Sequence, residues 1–364
     1  MPRFFYLCNR NESPMRYIYI RVFIFSLFLS LGACSSDQNL EEVASKYVNF
    51  SGKTMGTTYN ITIEAESKTA LKDDVDSILV AFNKEVSTYI PDATISRYNQ
   101  AVDTFALRKS GAPHFFRNLV QSYRLHYLTN GYYDPTVMPL VNYWGFGYQA
   151  RDTTQIGDSS IVDSLMQVVG LNRIGWEEAG DSLWLTKPAA GAQLDFSACA
   201  KGDGVDLIVQ LFERKGYNNY MVEIGGEVFA KGQNPRGYSW TIGVNRPDPN
   251  SSRTDFIQKL NLVDQGLATS GNYRNFYEAN GVTLSHTINP KTGWVERNKL
   301  LSTTVIANEV ITADAWATAL MVMGKDDAIS VLEETEGITG FLVYAEGDTV
   351  GVYEAKDFST TQSK

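Results

Sequence analysis

The segment Thr312-Ala313-Asp314-Ala315-Trp316-Ala317-Thr318-Ala319 places a carboxylate and a hydroxyl four residues apart. On a helix that spacing puts both oxygens on one face, one turn apart, and the surrounding alanines let a ligand or another backbone come close. Carboxylate and hydroxyl oxygens are hard donors, suited to Mg²⁺ or Ca²⁺ and not to a soft metal. The pair also has a plain structural reading: an Asp favoured near a helix N-terminus, and a Thr bonded back to its own helix. Spacing alone leaves both open. A second cluster, Leu194 to Gly204, runs through Asp195, Ser197, Ala198, Cys199 and Lys201 into a helix start. Its small residues expose backbone N–H and C=O groups to a ligand, or they merely cap the helix. Lys201 suits a phosphate or an adenine edge, and Asp195 a ring N–H or a ribose hydroxyl. His286 lies in a loop bounded by Pro290 and Gly293, where an imidazole serves either as a base or as structure. His114 and His126 fall on the 113–130 helical stretch and read as structural or solvent-facing. Cys199 sits among small packing residues with no histidine suggested nearby, which disfavours a nucleophile. The histidines and cysteines lack zinc spacing, and Gly52-Lys53-Thr54 is no P-loop, because Tyr47 stands where the first glycine belongs.

Elements that could position these groups alternate in runs of strands as well as strand–helix pairs, which predicts an α+β fold with mixed or antiparallel sheets and flanking helices. Phe50 to Ile63 reads as extended, with a tight feature at Met55-Gly56-Thr57. Helices are expected over 69–86, 113–130 (Pro113 opening, Gly131 closing), 161–169, from Val205 to Lys215, and 312–323. Strands are expected near 183–186, 193–196, 220–224, 228–230, 238–244, 266–270, 275–279 and 301–307, with a closing hairpin at 341–344 and 349–353. Residues 131–148, rich in aromatics, Pro and Gly, suggest a binding loop. A polar tail follows, over 358–364.

The N-terminus reads as a targeting segment. Arg16 and Arg21 precede an apolar run, Val22 to Leu31, too short to span a bilayer comfortably. It ends in Leu31-Gly32-Ala33-Cys34, the layout of a secretory signal peptide with a lipobox-like cysteine. The expected organisation is a signal over 1–33, lipidation at Cys34, a tether over 34–49 and a body over 50–357. Loss of residues 1–33 removes four arginines and one glutamate, taking the formal charge from −9 to −12. So acidic a body disfavours nucleic acid as a partner and leaves membrane attachment to acyl chains. One body cysteine rules out a disulfide framework.

Taken in order, these segments resemble the ApbE family of FAD:protein FMN transferases. The matching stretches are Met55-Gly56-Thr57, Ser96-Arg97-Tyr98-Asn99, Tyr133-Asp134-Pro135-Thr136-Val137, Trp144-Gly145-Phe146-Gly147, Asp195-Phe196-Ser197-Ala198 to Gly202, Val222 to Glu227, Ala268 to Gly271, His286 to Gly293, and Ala313 to Ala319. The resemblance implies the T-fold-like ApbE architecture and an Mg²⁺ held by Asp314, Thr318 and the backbone carbonyl of Ala198. It implies FAD contacts from Met55, Asp92, Ala93, Thr94, Tyr132, Tyr133, Asp134, Asp195, Lys201 and Ile288. The activity it implies is transfer of FMN from FAD to a Thr or Ser hydroxyl, with release of AMP. Acceptors would be exported flavoprotein subunits of membrane redox complexes. A hydroxyl nucleophile needs a base; His286 is the candidate and Asp314 its competitor. Two other functions fit the same residues: an Mg²⁺-dependent FAD pyrophosphatase, and a flavin-binding lipoprotein without catalysis.

Overall fold

The structure, a computed structural model, describes residues 46–358 apart from 150–153, 155, 249, 253, 273–275 and 280–281. The expected signal segment, Cys34 and most of the tether lie outside the described residues. The body opens on a hairpin of β1 (Tyr47–Thr54) and β2 (Thr57–Glu64), with Thr54 opposite Thr57. Met55 and Gly56 between them have φ of 47° and 72°, the two-residue turn whose twist matches antiparallel strands. The single extended element expected over 50–63 is therefore two strands. The body also starts earlier than expected, because Tyr47 pairs with Glu64 and its hydroxyl donates to the Gln233 carbonyl.

The chain continues through α1 (Thr69–Val86), α2 (Thr94–Gln100), β3 (Thr104–Arg108), α3 (Pro113–Leu128), α4 (Met138–Tyr143), α5 (Ser159–Met166), β4 (Gly175–Ala179), β5 (Ser182–Thr186), α6 (Ala200–Arg214), β6 (Tyr220–Ile224) and β7 (Glu227–Lys231). There follow β8 (Trp240–Asn245), β9 (Phe256–Leu262), β10 (Gln265–Gly271), β11 (Phe276–Ala279), β12 (Val282–Ser285), β13 (Leu300–Ala307), α7 (Val310–Met323), α8 (Lys325–Glu334), β14 (Ile338–Glu346) and β15 (Thr349–Glu354). Eight strands form one sheet in the order β1-β2-β6-β7-β10-β13-β14-β15, antiparallel throughout. Of the two arrangements expected, the antiparallel one holds.

β13 is buried along nearly its whole length, as a strand covered on both faces must be. On one face α7 lies across β10 and β13, with α6 beside it. On the other, Trp240, Leu260 and Leu262 of the β8–β9 hairpin pack with Val228, Leu267, Ile306 and Phe341 of the sheet. Phe358 stacks on Phe341 and is fully buried, so the core extends to the first residue of the expected tail.

Two local outcomes differ from the periodicity. Residues 193–196 alternate like a strand yet join no sheet; the Asn99 side chain donates to the Leu194 carbonyl and accepts from its N–H, and the Asp195 N–H goes to the Pro135 carbonyl. A side-chain amide has taken the place of a neighbouring strand. Within the aromatic stretch 131–148, Pro139 sits in the first turn of α4, where its missing N–H costs nothing.

A close backbone contact joins α6 to α7. All of α7 except Thr318 and Met323 is buried, consistent with a sequence apolar on every side. Asp206 of α6 accepts the Val310 and Ile311 N–H groups, 2.9 Å each, and so caps the N-terminus of α7 from outside. One turn earlier Gly202 lies so close that a Cβ there would meet the Val310 carbonyl oxygen at 2.5 Å and the Ile311 backbone at 2.7 Å. Backbone cannot swing aside as a side-chain tip can. Gly202→Ala is accordingly expected to cost about 1–3 kcal/mol, the range for overpacking. Urea unfolding checks this, and an unchanged midpoint would contradict it.

Candidate functional site

A cavity of about 480 Å³ opens where α6, α7 and the end of β10 converge, within the size range of small-molecule sites. Asp195, Ala198 and Lys201 reach it from the entry to α6, Asp314 and Thr318 from α7, and Thr269 to Gly271 from β10. Tyr132, Tyr133, Asp134 and Phe146 line it from the segments flanking α4, and His286, Thr287, Ile288 and Pro290 from the strap after β12. Lys201 and Asp314, more than a hundred residues apart in sequence, thus share one wall with the end of β10.

Charge is concentrated at the α6–α7 contact. Lys201 Nζ stands 2.9 Å from Glu227 Oε1 and 3.6 Å from Asp314 Oδ1. The other Asp314 oxygen accepts the Gly202 N–H at 3.0 Å, and Thr318 shares a 3.2 Å hydroxyl hydrogen bond with Ser270. The side chains of Glu227 and Asp314 are almost wholly buried, at 4% and 3% exposure. Burial pushes both carboxyls upward, and the ammonium between them pulls both back only in part, leaving both raised. For Lys201 burial opposes the charge, but Asp314 and Glu227 outweigh it and hold the ammonium protonated.

The remaining acids are engaged elsewhere. Asp195 accepts the Ser197 N–H and hydroxyl. Asp134 accepts from the Thr136 N–H and hydroxyl with one oxygen and from the Leu171 N–H with the other. Its carboxylate thus fixes the turn into α4. Tyr133 turns its hydroxyl inward to Ser122 and Cys199, 2.9 and 3.1 Å away, while Tyr132 lies under Lys291 Nζ, 3.7 Å from its ring centroid. Cys199 is fully buried, its thiol pushed well above the ordinary range by burial, which agrees with an inert packing role. His286 is half-buried at the cavity wall, its ring 6.3 Å from that of Phe146. It is the one imidazole among the described lining residues.

Ten of the expected site residues line this cavity: His286, Tyr132, Tyr133, Asp134, Asp195, Lys201, Ile288, Ala198, Asp314 and Thr318. Four do not. Met55 sits at the hairpin turn and packs toward Gly204, between two core clusters. Asp92 is exposed, and Ala93 and Thr94 are buried at the start of α2. The chain leaving α1 enters the cavity earlier, through Thr88 and Tyr89. Both stretches are polar and turn-rich, so composition does not distinguish them. Sequence reasoning also gave no role to Glu227 or Ser270, although both stand in quoted stretches. A Gly225-Gly226 turn leading straight into Glu227 was the available signal.

Residues 55–342 match the ApbE family. The chain is 36% identical over 314 residues to a Haemophilus influenzae protein named FAD:protein FMN transferase, spanning 85% of this chain and 88% of that one. A Vibrio cholerae protein of the same name is 36% identical over 330 residues, 89% of this chain and 95% of the relative. Among solved structures, the flavin transferase ApbE from Vibrio cholerae superposes with a TM-score of 0.76 at 34% identity, covering 86% of this chain and 98% of its own. The apo Pseudomonas stutzeri flavinyl transferase ApbE gives 0.75 at 30% identity, covering 87% and 97%. With the match spanning nearly the whole described body, this chain belongs to the ApbE family.

Proposed function

We propose that the chain is an FAD:protein FMN transferase that moves FMN from FAD to a threonine or serine hydroxyl of an exported flavoprotein subunit and releases AMP. The observation that carries this reading is the meeting of Lys201, Asp314 and Thr318 with His286 around one cavity, in a chain whose relatives bear that name. Lys201 opposes the charge of the FAD diphosphate. The acceptor hydroxyl oxygen forms a bond to the FMN-side phosphorus, the bridging P–O bond breaks, and AMP departs with the electron pair. His286, the one imidazole among the described lining residues, takes the hydroxyl proton at a ring nitrogen.

The residues also fit the magnesium that the family resemblance implies. Among the described residues no cluster of three or more His, Cys, Asp or Glu could hold a metal. A carboxylate, a hydroxyl and a carbonyl are oxygen donors, so a hard cation would draw on Asp314, Thr318 and the Ala198 carbonyl. Bound there, Mg²⁺ would supply Lewis-acid stabilisation of charge on the diphosphate.

Export follows from the Arg16-to-Cys34 layout: the enzyme works outside the cytoplasm, held to the membrane by acyl chains on Cys34. Acceptors are then exported subunits of membrane redox complexes. Among the described residues, no helix is long and apolar enough to cross a membrane.

Incubating the purified protein with FAD, Mg²⁺ and a candidate acceptor subunit is expected to add the mass of one FMN moiety to the acceptor, and EDTA to abolish the adduct. Free FMN and AMP without an adduct would make the protein a pyrophosphatase; unchanged FAD would make it a carrier. His286→Ala is expected to keep FAD affinity within a few-fold while transfer falls by about 10²–10⁴, the contribution typical of a general base. Single-turnover transfer at the wild-type rate would remove His286 from that role.

A further inference from the structure

The wall contains one charge too many for a simple lysine–aspartate pair. We propose that Glu227 is a positioning residue: its carboxylate shares the Lys201 ammonium with Asp314 and draws it to the nearer side, so that Asp314 is not fully neutralised and the lysine and a divalent cation are accommodated together against one diphosphate. The inference rests on the magnesium reading above. Its geometric basis is the unequal sharing of Lys201, 2.9 Å from Glu227 and 3.6 Å from Asp314.

The local structure is built for that placement. Ile224 pairs with Glu227 across a two-residue turn in which Gly225 and Gly226 have φ of 61° and 108°. A Cβ on Gly225 would meet Thr57 Cγ2 at 2.8 Å and Lys201 Cδ at 3.4 Å. The glycine is required by its positive φ and by Thr57, and the lysine stem lies within ordinary contact distance of the turn. Glu227 starts β7 directly after it, with Oε2 buried and without a hydrogen-bond partner. A carboxylate kept out of water in this way requires a compensating cation, and Lys201 is the one in reach.

Without Glu227, Lys201 would have Asp314 as its sole carboxylate. That pair is neutral and offers a divalent cation little attraction. With Glu227, Lys201 is compensated from the other side and Asp314 keeps a net charge to present.

Mn²⁺ binding, read by electron paramagnetic resonance with Mn²⁺ standing in for Mg²⁺, separates this role from a structural one. Glu227→Gln is expected to weaken Mn²⁺ affinity roughly tenfold, as loss of a supporting residue around a metal site typically does. The double variant Lys201→Met/Glu227→Gln is expected to recover most of that loss, because no ammonium remains to occupy Asp314. Wild-type affinity in Glu227→Gln would overturn the inference, as would a double variant no better than the single one. Absence of Mn²⁺ uptake by the wild-type protein would overturn the magnesium reading and this inference with it.

Discussion

The site depends on the backbone contact between two helices. At Gly202, α6 approaches α7 more closely than any residue with a Cβ would permit, and the contact is locked by Asp206 on the Val310 and Ile311 N–H groups. That approach sets Lys201 beside Asp314, although 113 positions of chain separate them. The alanines of α7 serve the same end. They let a fully buried helix lie flat on β10 and β13, and the one partly exposed position in its middle is Thr318.

Burial then gives this juxtaposition its electrostatic character. Asp314 and Glu227 are carboxylates that water scarcely reaches, so each needs a cation or a hydrogen-bond donor. The fold supplies two compensations: Lys201 lies between both acids, and the Gly202 N–H donates to Asp314. Other acids of the cavity spend their oxygens on the chain itself, Asp134 on the turn into α4 and Asp195 on Ser197. His286 is the one imidazole among the described residues of the cavity wall, and in the proposed transfer it takes the proton. Fixed charges and an imidazole lining one cavity suit phosphoryl transfer, since positioning and charge stabilisation do most of the catalysis.

Much of this was legible in the sequence, and what was not has identifiable causes. The α7 stretch declared itself through helical spacing and alanines, and the Asp195-to-Gly202 segment through small residues leading into a helix. These are local signals, and the structure brings both stretches to one cavity. The misplaced readings involve long-range contacts. Residues 193–196 look like a strand because they alternate, but Asn99, far earlier in the chain, satisfies their backbone. Asp92 to Thr94 and Thr88-Tyr89 have the same turn-like character, and only the packing of α2 decides which of them faces the cavity. Glu227 received no role because its partner, Lys201, lies 26 residues away in sequence and on a different element.

The central claim is that a divalent cation held by Asp314 meets the diphosphate of FAD on the α6–α7 wall. Phosphorus-31 relaxation of FAD bound to the protein with Mn²⁺ tests it directly, because a paramagnetic ion broadens only nuclei close to it. The account predicts strong broadening of both phosphorus signals in the wild-type protein and its loss in Asp314→Asn. Sharp phosphorus signals from wild-type protein carrying both FAD and Mn²⁺ would contradict it.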